Sequence, residues 1–488
     1  MGNTVSGSTS IYRKAKLWQI ILVAMNALNA MAVYQLVGMA SYSASIGYGV
    51  STAIIGVILT FTRFFDGITD PLLAFVYDRV NTRFGKVRVI LVTGFVIEAI
   101  ALLAMFDWCS SRGFNWILFT ILYMVYVIGY TMENMTVQTI PALITNDPKQ
   151  RPTVGVWFTA FNYLVPMALS IVFNNVLLPI FGGEYNQAFL SAAVKVVIAV
   201  SAVGILAVCV GVSAYDKPEY FEGIGKHEHL KFKDMWDVLA HNKPLQSYIA
   251  AQASDKIAQI TTSQSIIVTM LYGIVIGNMG YGTILSVVSM LPSIIFAVFG
   301  ARYAGKHGSK KGIVTWTRVC IVFAALTIIF FLLIPDSTAI AKTGSIAMIL
   351  YFLLTLALNG SKMCVTTCAS SFMADVIDYE LDRSGRYVPA VVSGTYSLID
   401  KLISSFGALI ATGCVALIGY HSTVPQPTDE LTTGVFAMTI ALEYAFPIAG
   451  WIITLIAMHG CKLDKAEMER VQERIREKKA AAKAAESV

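Results

Sequence analysis

Long runs of apolar residues, interrupted by short polar or charged turns, extend along almost the whole chain. An α-helix needs about 20 mainly apolar residues to cross the hydrocarbon core of a bilayer, and each run is long enough for that. The pattern predicts an all-α integral membrane protein with twelve transmembrane helices. The predicted spans are residues 17–43, 50–76, 87–107, 114–145, 153–182, 188–214, 245–276, 279–303, 312–334, 344–374, 389–419 and 434–459.

Composition agrees with this pattern, because the 488 residues are 56% hydrophobic and only 14% charged, and the mean hydropathy is +0.66. The net charge of +6 does not indicate nucleic acid as a partner, since the basic residues collect in one set of loops. Only Arg112 and Lys342 lie in the loops of the opposite side. By the positive-inside rule, both termini are expected in the cytoplasm. We expect a multi-pass monomer in the plasma (inner) membrane.

A longer polar segment divides the spans six and six. We expect an N-terminal six-helix bundle at residues 1–215, a cytoplasmic middle loop at 216–244 and a C-terminal six-helix bundle at 245–460. Residues 461–488 form a charged cytoplasmic tail, rich in Ala, Glu, Lys and Arg. Its apolar positions are too sparse for a core, so the tail is expected to be a solvated helix or disordered.

Three charged residues interrupt the second span. Arg63, Asp66 and Asp70 are spaced i, i+3 and i+7, which places them on one face of a helix. Each charge costs roughly 2.5 to 3.5 kcal/mol at a bilayer centre, so their retention indicates a function. Pro71 cannot donate to the carbonyl of Gly67, and the freed oxygen would add to a site for a small cation.

Other ionisable residues also lie inside predicted spans. Glu133, followed by Gln138 in span four, could pair with Arg63, share a cation with the acids of span two, or receive a sugar hydroxyl. Lys401, near the middle of span eleven, could supply a balancing positive charge. Buried structural ion pairs are the alternative, and Glu98 is interpreted as a packing or snorkelling residue.

Several classes of function are excluded by the absence of their motifs. No histidine falls deep in a span, so a histidine proton relay is not expected. The chain has no P-loop, GxSxG or HExxH motif, and its loops are too short for an ATPase domain. We therefore expect a protein that is not an enzyme. It should need no cofactor and no metal beyond a co-transported Na⁺ or H⁺.

Two motifs resemble the glycoside-pentoside-hexuronide:cation symporter family. The first is Asp66-Gly-Ile-Thr-Asp70-Pro71, followed by Asp78-Arg79 and a Gly85-Lys86 turn. The second is the Met373-Ala-Asp375-Val-Ile-Asp378-Tyr379-Glu380 segment, with Lys401 where span eleven of the family carries a lysine. The similarity covers essentially the whole chain. It implies a major facilitator fold of two six-helix bundles, with the substrate bound midway between them.

The resemblance also implies roles for single residues. Asp66 and Asp70 correspond to the cation-site pair, Thr69 stands where an asparagine is common, and Glu133 matches an aspartate that touches sugar and lies close to the cation. The expected site residues fall into three sets by role. The cation-binding residues are Asp66, Asp70, Thr69, Glu133 and Thr131; the substrate-binding residues are Asn29, Glu133, Asn26, Lys401 and Gln138; the charge network is Arg63 with Lys401.

The chain also departs from the family pattern. Asn26 and Asn29 stand where the family has a sugar-binding aspartate, Val137 replaces a tryptophan that stacks on sugar, and a span-five arginine is absent near Phe158. The resemblance therefore implies the fold and the cation coupling of the family for this chain, but not the substrate specificity of the family.

These observations favour cation-coupled symport of a sugar or glycoside by alternating access, with an oligosaccharide, pentoside or uronide as substrate. The bilayer, the sugar and a monovalent cation are the expected partners. A lysophospholipid-type carrier of the same superfamily and an uncoupled sugar facilitator remain alternatives, because the missing aromatic and arginine contacts would leave a more apolar pocket. A membrane sensor or channel would need no alternating access.

Overall fold

The computed structural model describes residues 14–79, 82, 84–110, 115–145, 150–216, 232–385 and 388–486. Within these ranges the chain forms two compact units. The first is drawn from Met1–Val50 and Phe65–Lys226, and the second from Ser51–Phe64 and His227–Val488. The domain boundaries predicted above stay a prediction.

The first unit is built from helices α1 to α9, with α4 divided between the two units after Phe64. Three π-helical turns, at Ser43–Gly47, Ala104–Trp108 and Val172–Leu177, continue α3, α5 and α7. The helices are α1 (Leu17–Ala24), α2 (Ala27–Val37), α3 (Ala40–Tyr42), α4 (Thr52–Arg79), α5 (Val87–Leu103), α6 (Trp116–Ile144), α7 (Arg151–Ile171), α8 (Leu178–Ile180) and α9 (Gln187–Val212).

The second unit contains helices α10 to α20. Its π-helical turns lie at Thr269–Val275 and Ala441–Ala445, and a 3₁₀ turn lies at Ser337–Ala341. The helices are α10 (Phe232–His241), α11 (Lys243–Thr262), α12 (Ser265–Val268), α13 (Met279–His307), α14 (Ser309–Leu333), α15 (Ile346–Ser384), α16 (Pro389–Ser404), α17 (Phe406–Leu417), α18 (Thr433–Ile440), α19 (Phe446–Gly460) and α20 (Lys465–Glu486).

The twelve predicted spans are confirmed as helical segments of the described chain. Ten helical segments are long and apolar enough to cross a membrane, and α11 with its continuation to Val275 makes an eleventh that is bent by 60°. The 28-residue helix α4, which carries the charged stripe and Pro71, accounts for the twelfth.

One helix boundary was wrong, because α15 was expected to end near residue 374 but continues to Ser384. The added turns are charged, yet Glu380 and Arg383 pair with each other at 2.8 Å along the same helix face. Such a pair, three residues apart, supports a helix beyond the apolar run. Gly385, with a φ of +69°, then ends the helix in the left-handed conformation that glycine adopts without strain.

Asparagine side chains start several of these helices. Asn115, Asn186, Asn242 and Asn278 each accept a hydrogen bond from the backbone N–H three residues later, at 2.9 to 3.0 Å. Such a cap satisfies one of the N–H groups that a helix start leaves unpaired. The chain thus marks helix starts with polar residues in otherwise apolar stretches.

Large apolar side chains cover much of the surface of both units. Leu206 is 67% exposed and Leu333 is 75% exposed, although each lies within a long apolar helix. A water-soluble protein would bury such residues, whereas lipid chains solvate them well. The exposure agrees with a multi-pass membrane protein.

Two glycines let α5 and α6 approach closely. A Cβ placed on Gly129 would stand 2.7 Å from the backbone nitrogen of Glu98 and 2.7 Å from the carbonyl oxygen of Gly94. A Cβ on Gly94 would stand 3.0 Å from both Glu133 Cγ and the carbonyl oxygen of Gly129. Small residues at such crossings are what allows two membrane helices to bring their backbones together. Each glycine precedes a glutamate by four residues, so the crossing places Glu98 and Glu133 close to each other.

The tail is helical, as one of the two predicted alternatives had it, but one face of the helix packs on its own unit and is not solvated. Val471 and Ile475 of α20 are only 0% and 5% exposed and join a cluster with apolar residues of α15. Arg474 Nε and Lys478 Nζ form ion pairs with Asp382 at 2.7 and 2.8 Å. Two buried apolar positions one turn apart, together with these ion pairs, thus hold one face of the helix against α15.

Candidate functional site

Asp66 lies on α4 in the interior of the first unit and is 4% exposed. The hydroxyl of Thr131, on α6, donates a hydrogen bond to Asp66 Oδ1 at 3.1 Å. Thr69 donates instead to the backbone carbonyl of Asp66 at 3.0 Å, one turn back along the same helix. The structure therefore brings Asp66, Thr131 and Thr69 together. Thr131 donates to the carboxylate of Asp66, whereas Thr69 donates to its backbone carbonyl.

The remaining predicted residues near this site are described less fully. The side chains of Asp70 and Gln138 lie outside the described residues, so their predicted roles stay predictions. Arg63 is exposed, and its role in a charge network likewise stays a prediction. Beside Gly67, no described atom outside its own helix turn comes within 4 Å of the position that a Cβ would take. The predicted role of the Gly67 carbonyl stays a prediction.

Asn29, Glu98 and Glu133 form a second buried group in the same unit. The side-chain amide nitrogen of Asn29 donates to Glu133 Oε2 and, at 3.3 Å, to Glu98 Oε2. The three side chains are 2%, 1% and 4% exposed. They come from α2, α5 and α6, and each lies near the middle of its span. One amide thus holds two carboxylates together in the interior of a membrane bundle.

The snorkelling half of the interpretation of Glu98 was wrong, whereas its burial agrees with a packing role. A snorkelling side chain reaches toward water, whereas Glu98 is almost completely enclosed and contacts Asn29 and Glu133. The signal that could have identified it is the repeated pattern of glycine and, four residues later, glutamate. Gly94 with Glu98 and Gly129 with Glu133 place a close-packing residue and an acid on the same face of two adjacent helices.

Asn26 extends this polar interior toward the break between α1 and α2. It is 4% exposed, and its Oδ1 has no hydrogen-bond partner among the described residues. Asn29 follows one helical turn later. The two predicted substrate-binding asparagines therefore lie in the same buried part of the unit, and their contact with a substrate stays a prediction.

The second unit has a polar interior of a different kind. Trp451 Nε1 donates to Asp255 Oδ1 at 2.8 Å, and Lys362 Nζ lies 5.8 Å from the centre of the Trp451 ring. Lys256 and Lys362 both attract the Asp255 carboxylate. Lys401, predicted to bind substrate, is half-buried on α16, and its role stays a prediction. Acids and lysines are thus close to one another in this unit.

The chemistry of the first unit suits a small hard cation better than a transition metal. Among the described residues, no group of three or more His, Cys, Asp or Glu residues could hold a metal ion of that kind. Carboxylate, hydroxyl and amide oxygens are what Asp66, Thr131, Glu133 and Asn29 offer, and such oxygens bind hard cations. Carboxylates are costly to hold inside a membrane, so a cation that enters here would be stabilised.

Comparison with known proteins finds one family along almost the whole chain. The family described as MFS/sugar transport protein matches residues 20–465. A putative glycoside/cation symporter, YagG of Escherichia coli (strain K12), is 22% identical over 393 residues, which are 79% of this chain and 80% of that protein. The isoprimeverose transporter of Lactiplantibacillus pentosus is 22% identical over 86% of this chain and 83% of its own length.

Solved structures share the fold at low sequence identity. The nucleoside transporter NupG superposes with a TM-score of 0.59 at 13% identity and covers 92% of this chain and 100% of that one. A bacterial homologue of the human drug peptide transporters PepT1 and PepT2 gives a TM-score of 0.62 at 10% identity, over 94% of this chain and 99% of that one. At such identities the similarity establishes the fold alone.

Proposed function

Because the chain belongs to the MFS/sugar transport protein family, we propose that it carries out cation-coupled symport of a sugar or glycoside by alternating access. Family membership makes it a multi-pass membrane sugar transporter and not an enzyme, and it confirms the resemblance seen in the two motifs. The coupling, the identity of the cation, the substrate and the cytoplasmic position of both termini in the plasma membrane are the proposed part.

The buried position of Asp66 is the observation that most supports coupling. A carboxylate that is 4% exposed in a membrane helix, with a hydroxyl bonded to one oxygen, is costly to maintain. An uncoupled facilitator would have no use for it. A monovalent cation that binds Asp66, with Asp70 as the proposed second ligand, would neutralise part of this charge.

Coupling would follow from the order of events at this site. The cation neutralises the acids of α4, which makes the polar interior cheaper to rearrange and orders Glu133 for the substrate. One charge that crosses 100 mV yields about 2.3 kcal/mol, which is enough for a concentration ratio of roughly fifty. The membrane potential alone could therefore drive substantial sugar accumulation.

The names of the relatives favour a sugar over a lysophospholipid. They include a glycoside/cation symporter, an isoprimeverose transporter and, at 21% identity over 87% of this chain, the lactose permease of Lactobacillus helveticus. We therefore propose a glycoside, pentoside or oligosaccharide as the substrate. A uronide stays open, because lysines lie in the polar interior of the second unit.

Counterflow in proteoliposomes can identify the substrate and test coupling in one preparation. Vesicles loaded with each sugar of a panel of labelled glycosides, pentosides and uronides are diluted with and without Na⁺ or a proton gradient. We expect one sugar class to exchange, and a cation gradient to drive its accumulation. Asp66→Asn should abolish the accumulation and keep exchange. Unchanged uphill uptake in this variant would contradict the proposal.

A further inference from the structure

Three buried oxygen atoms of the Asn29, Glu98 and Glu133 group have no hydrogen-bond partner in the described part of the chain. They are Asn29 Oδ1, Glu98 Oε1 and Glu133 Oε1. Leaving a buried polar atom unsatisfied costs about 1–3 kcal/mol, and more when the group is charged. Native interiors rarely tolerate several such atoms in one place. The group is therefore suited to a partner that can accept its lone pairs.

The existing bonds of the group divide its oxygens into two sets. The Asn29 amide nitrogen already donates hydrogen bonds to Oε2 of both acids, so these two oxygens have a partner. Oε1 of each acid is left over. Neither glutamate is ion-paired to a lysine or arginine within the described residues. A positive centre that lies between the two acids would satisfy both remaining oxygens and offset their charge.

The group is also held rigidly. Gly94 and Gly129 bring the backbones of α5 and α6 close together, because a Cβ on Gly129 would stand 2.7 Å from backbone atoms of α5 and a Cβ on Gly94 would stand 3.0 Å from the carbonyl oxygen of Gly129. The close crossing therefore fixes the distance between the backbone positions from which the two glutamates project, each four residues after a glycine. An ion-binding site needs such preformed geometry, because the cost of gathering like charges is then met by folding and not by binding.

We propose that Glu98, Glu133 and Asn29 bind one monovalent metal cation, Na⁺ or Li⁺, at a site distinct from Asp66 and Thr131. This inference rests on the proposed function, since it adds a second cation site to the coupling site proposed at Asp66. The ion binds the free oxygens of the two acids, and the two hydrogen bonds from Asn29 stabilise the charge that remains. Ca²⁺ takes six to eight oxygen ligands and Mg²⁺ keeps several waters, more than this enclosed group offers.

Equilibrium binding of radioactive Na⁺ to the full-length protein in nanodiscs tests the proposal. In the Asp66→Asn background, which removes the proposed coupling site, Glu98→Gln should weaken the remaining Na⁺ binding at least tenfold. The matched control is Asp107→Asn, which removes a carboxylate from the same span, where Asp107 pairs with Lys195 at 3.1 Å. This control should bind Na⁺ like the wild type. Wild-type affinity in Glu98→Gln, or no binding of Na⁺ or Li⁺ to the wild type, would overturn the proposal.

A second variant keeps the test decisive if Glu98→Gln does not fold. Glu98→Asp keeps the charge but withdraws the carboxylate by one methylene, so Na⁺ binding should weaken severalfold in protein that elutes as a single species. Unchanged affinity in folded Glu98→Asp would also overturn the proposal. The proposed coupling is judged separately, because Asp66→Asn can still abolish cation-driven accumulation when Glu98 proves not to be a ligand.

Discussion

The two units differ in the groups that surround their buried acids. In the first unit, Glu98 and Glu133 share the amide of Asn29, and in the described chain neither is ion-paired. In the second unit, Asp255 accepts a hydrogen bond from Trp451 and is attracted by two lysines. In the described part of the chain, Asp255 thus has two lysines near enough to attract it, whereas the two glutamates share one neutral amide.

We expect this difference to show which buried acids serve cation coupling and which stabilise the fold. The two glutamates of the first unit are best stabilised by a cation from outside, so their loss should change the response to cations. The acid of the second unit is hydrogen-bonded to Trp451 and attracted by two lysines, so its loss should change mainly the free energy of unfolding. Variants in the two units should therefore give different signatures.

The largest effect is expected where the two glutamates are brought together. Gly129→Val would place side-chain atoms against the backbone of Glu98 and Gly94, at 2.7 Å for the Cβ alone. Backbone cannot give way as a flexible side chain can, so we expect a loss of about 3 kcal/mol in stability, together with the loss of Na⁺ binding. Thermal unfolding in detergent and Na⁺ binding measure the two effects.

The control for this change is Gly155→Ala in α7. No described atom lies within 4 Å of the new Cβ, so stability should stay the same or rise by up to about 1 kcal/mol. A folded Gly129→Val protein that binds Na⁺ normally would show that the close crossing of α5 and α6 is not required.

The two interiors can be compared directly with one acid-to-amide change in each. Glu133→Gln should lower cation-stimulated sugar uptake at least tenfold. Asp255→Asn should leave the ratio of uptake with and without the cation unchanged, but lower stability by about 2 kcal/mol, because Lys256 and Lys362 lose their acid. The uptake ratio and the melting temperature are measured for both variants. Equal loss of cation stimulation in the two would remove the distinction between the units.

The smallest expected effect separates two threonines of the first unit. Thr131→Val removes the hydroxyl that donates to the Asp66 carboxylate, so the apparent cation affinity should fall by about tenfold, the equivalent of about 1.4 kcal/mol. Thr69→Val should change the affinity by less than about twofold, since the Thr69 hydroxyl is bonded to the helix backbone. A larger effect of Thr69→Val would support its predicted role as a ligand.

Much of the fold could be predicted from the sequence, because membrane spans are set by local composition. The apolar runs predicted all twelve helical segments. The tail was misjudged for the same reason, since sparse apolar residues such as Val471 and Ile475 acquire meaning only when α15 is placed beside them. The pattern of residues within the tail does not show which helix will lie beside it.

The candidate site was predicted in part. Asp66 and Glu133 were identified because a charge inside a span is costly wherever the helix lies. Glu98 met the same criterion but was assigned to packing, because nothing within its own helix shows which residue of another helix faces it. That partner depends on the crossing of α5 and α6 at Gly94 and Gly129.

Cation entry driven by sugar tests the central claim most directly. Proteoliposomes that hold the wild-type protein at zero membrane potential are given an accepted sugar, and the entry of Na⁺ or H⁺ is measured with sugar uptake in the same sample. We predict that the sugar induces cation entry in a fixed ratio, and that Asp66→Asn abolishes this entry. Sugar uptake by the wild type with no accompanying cation would contradict the account.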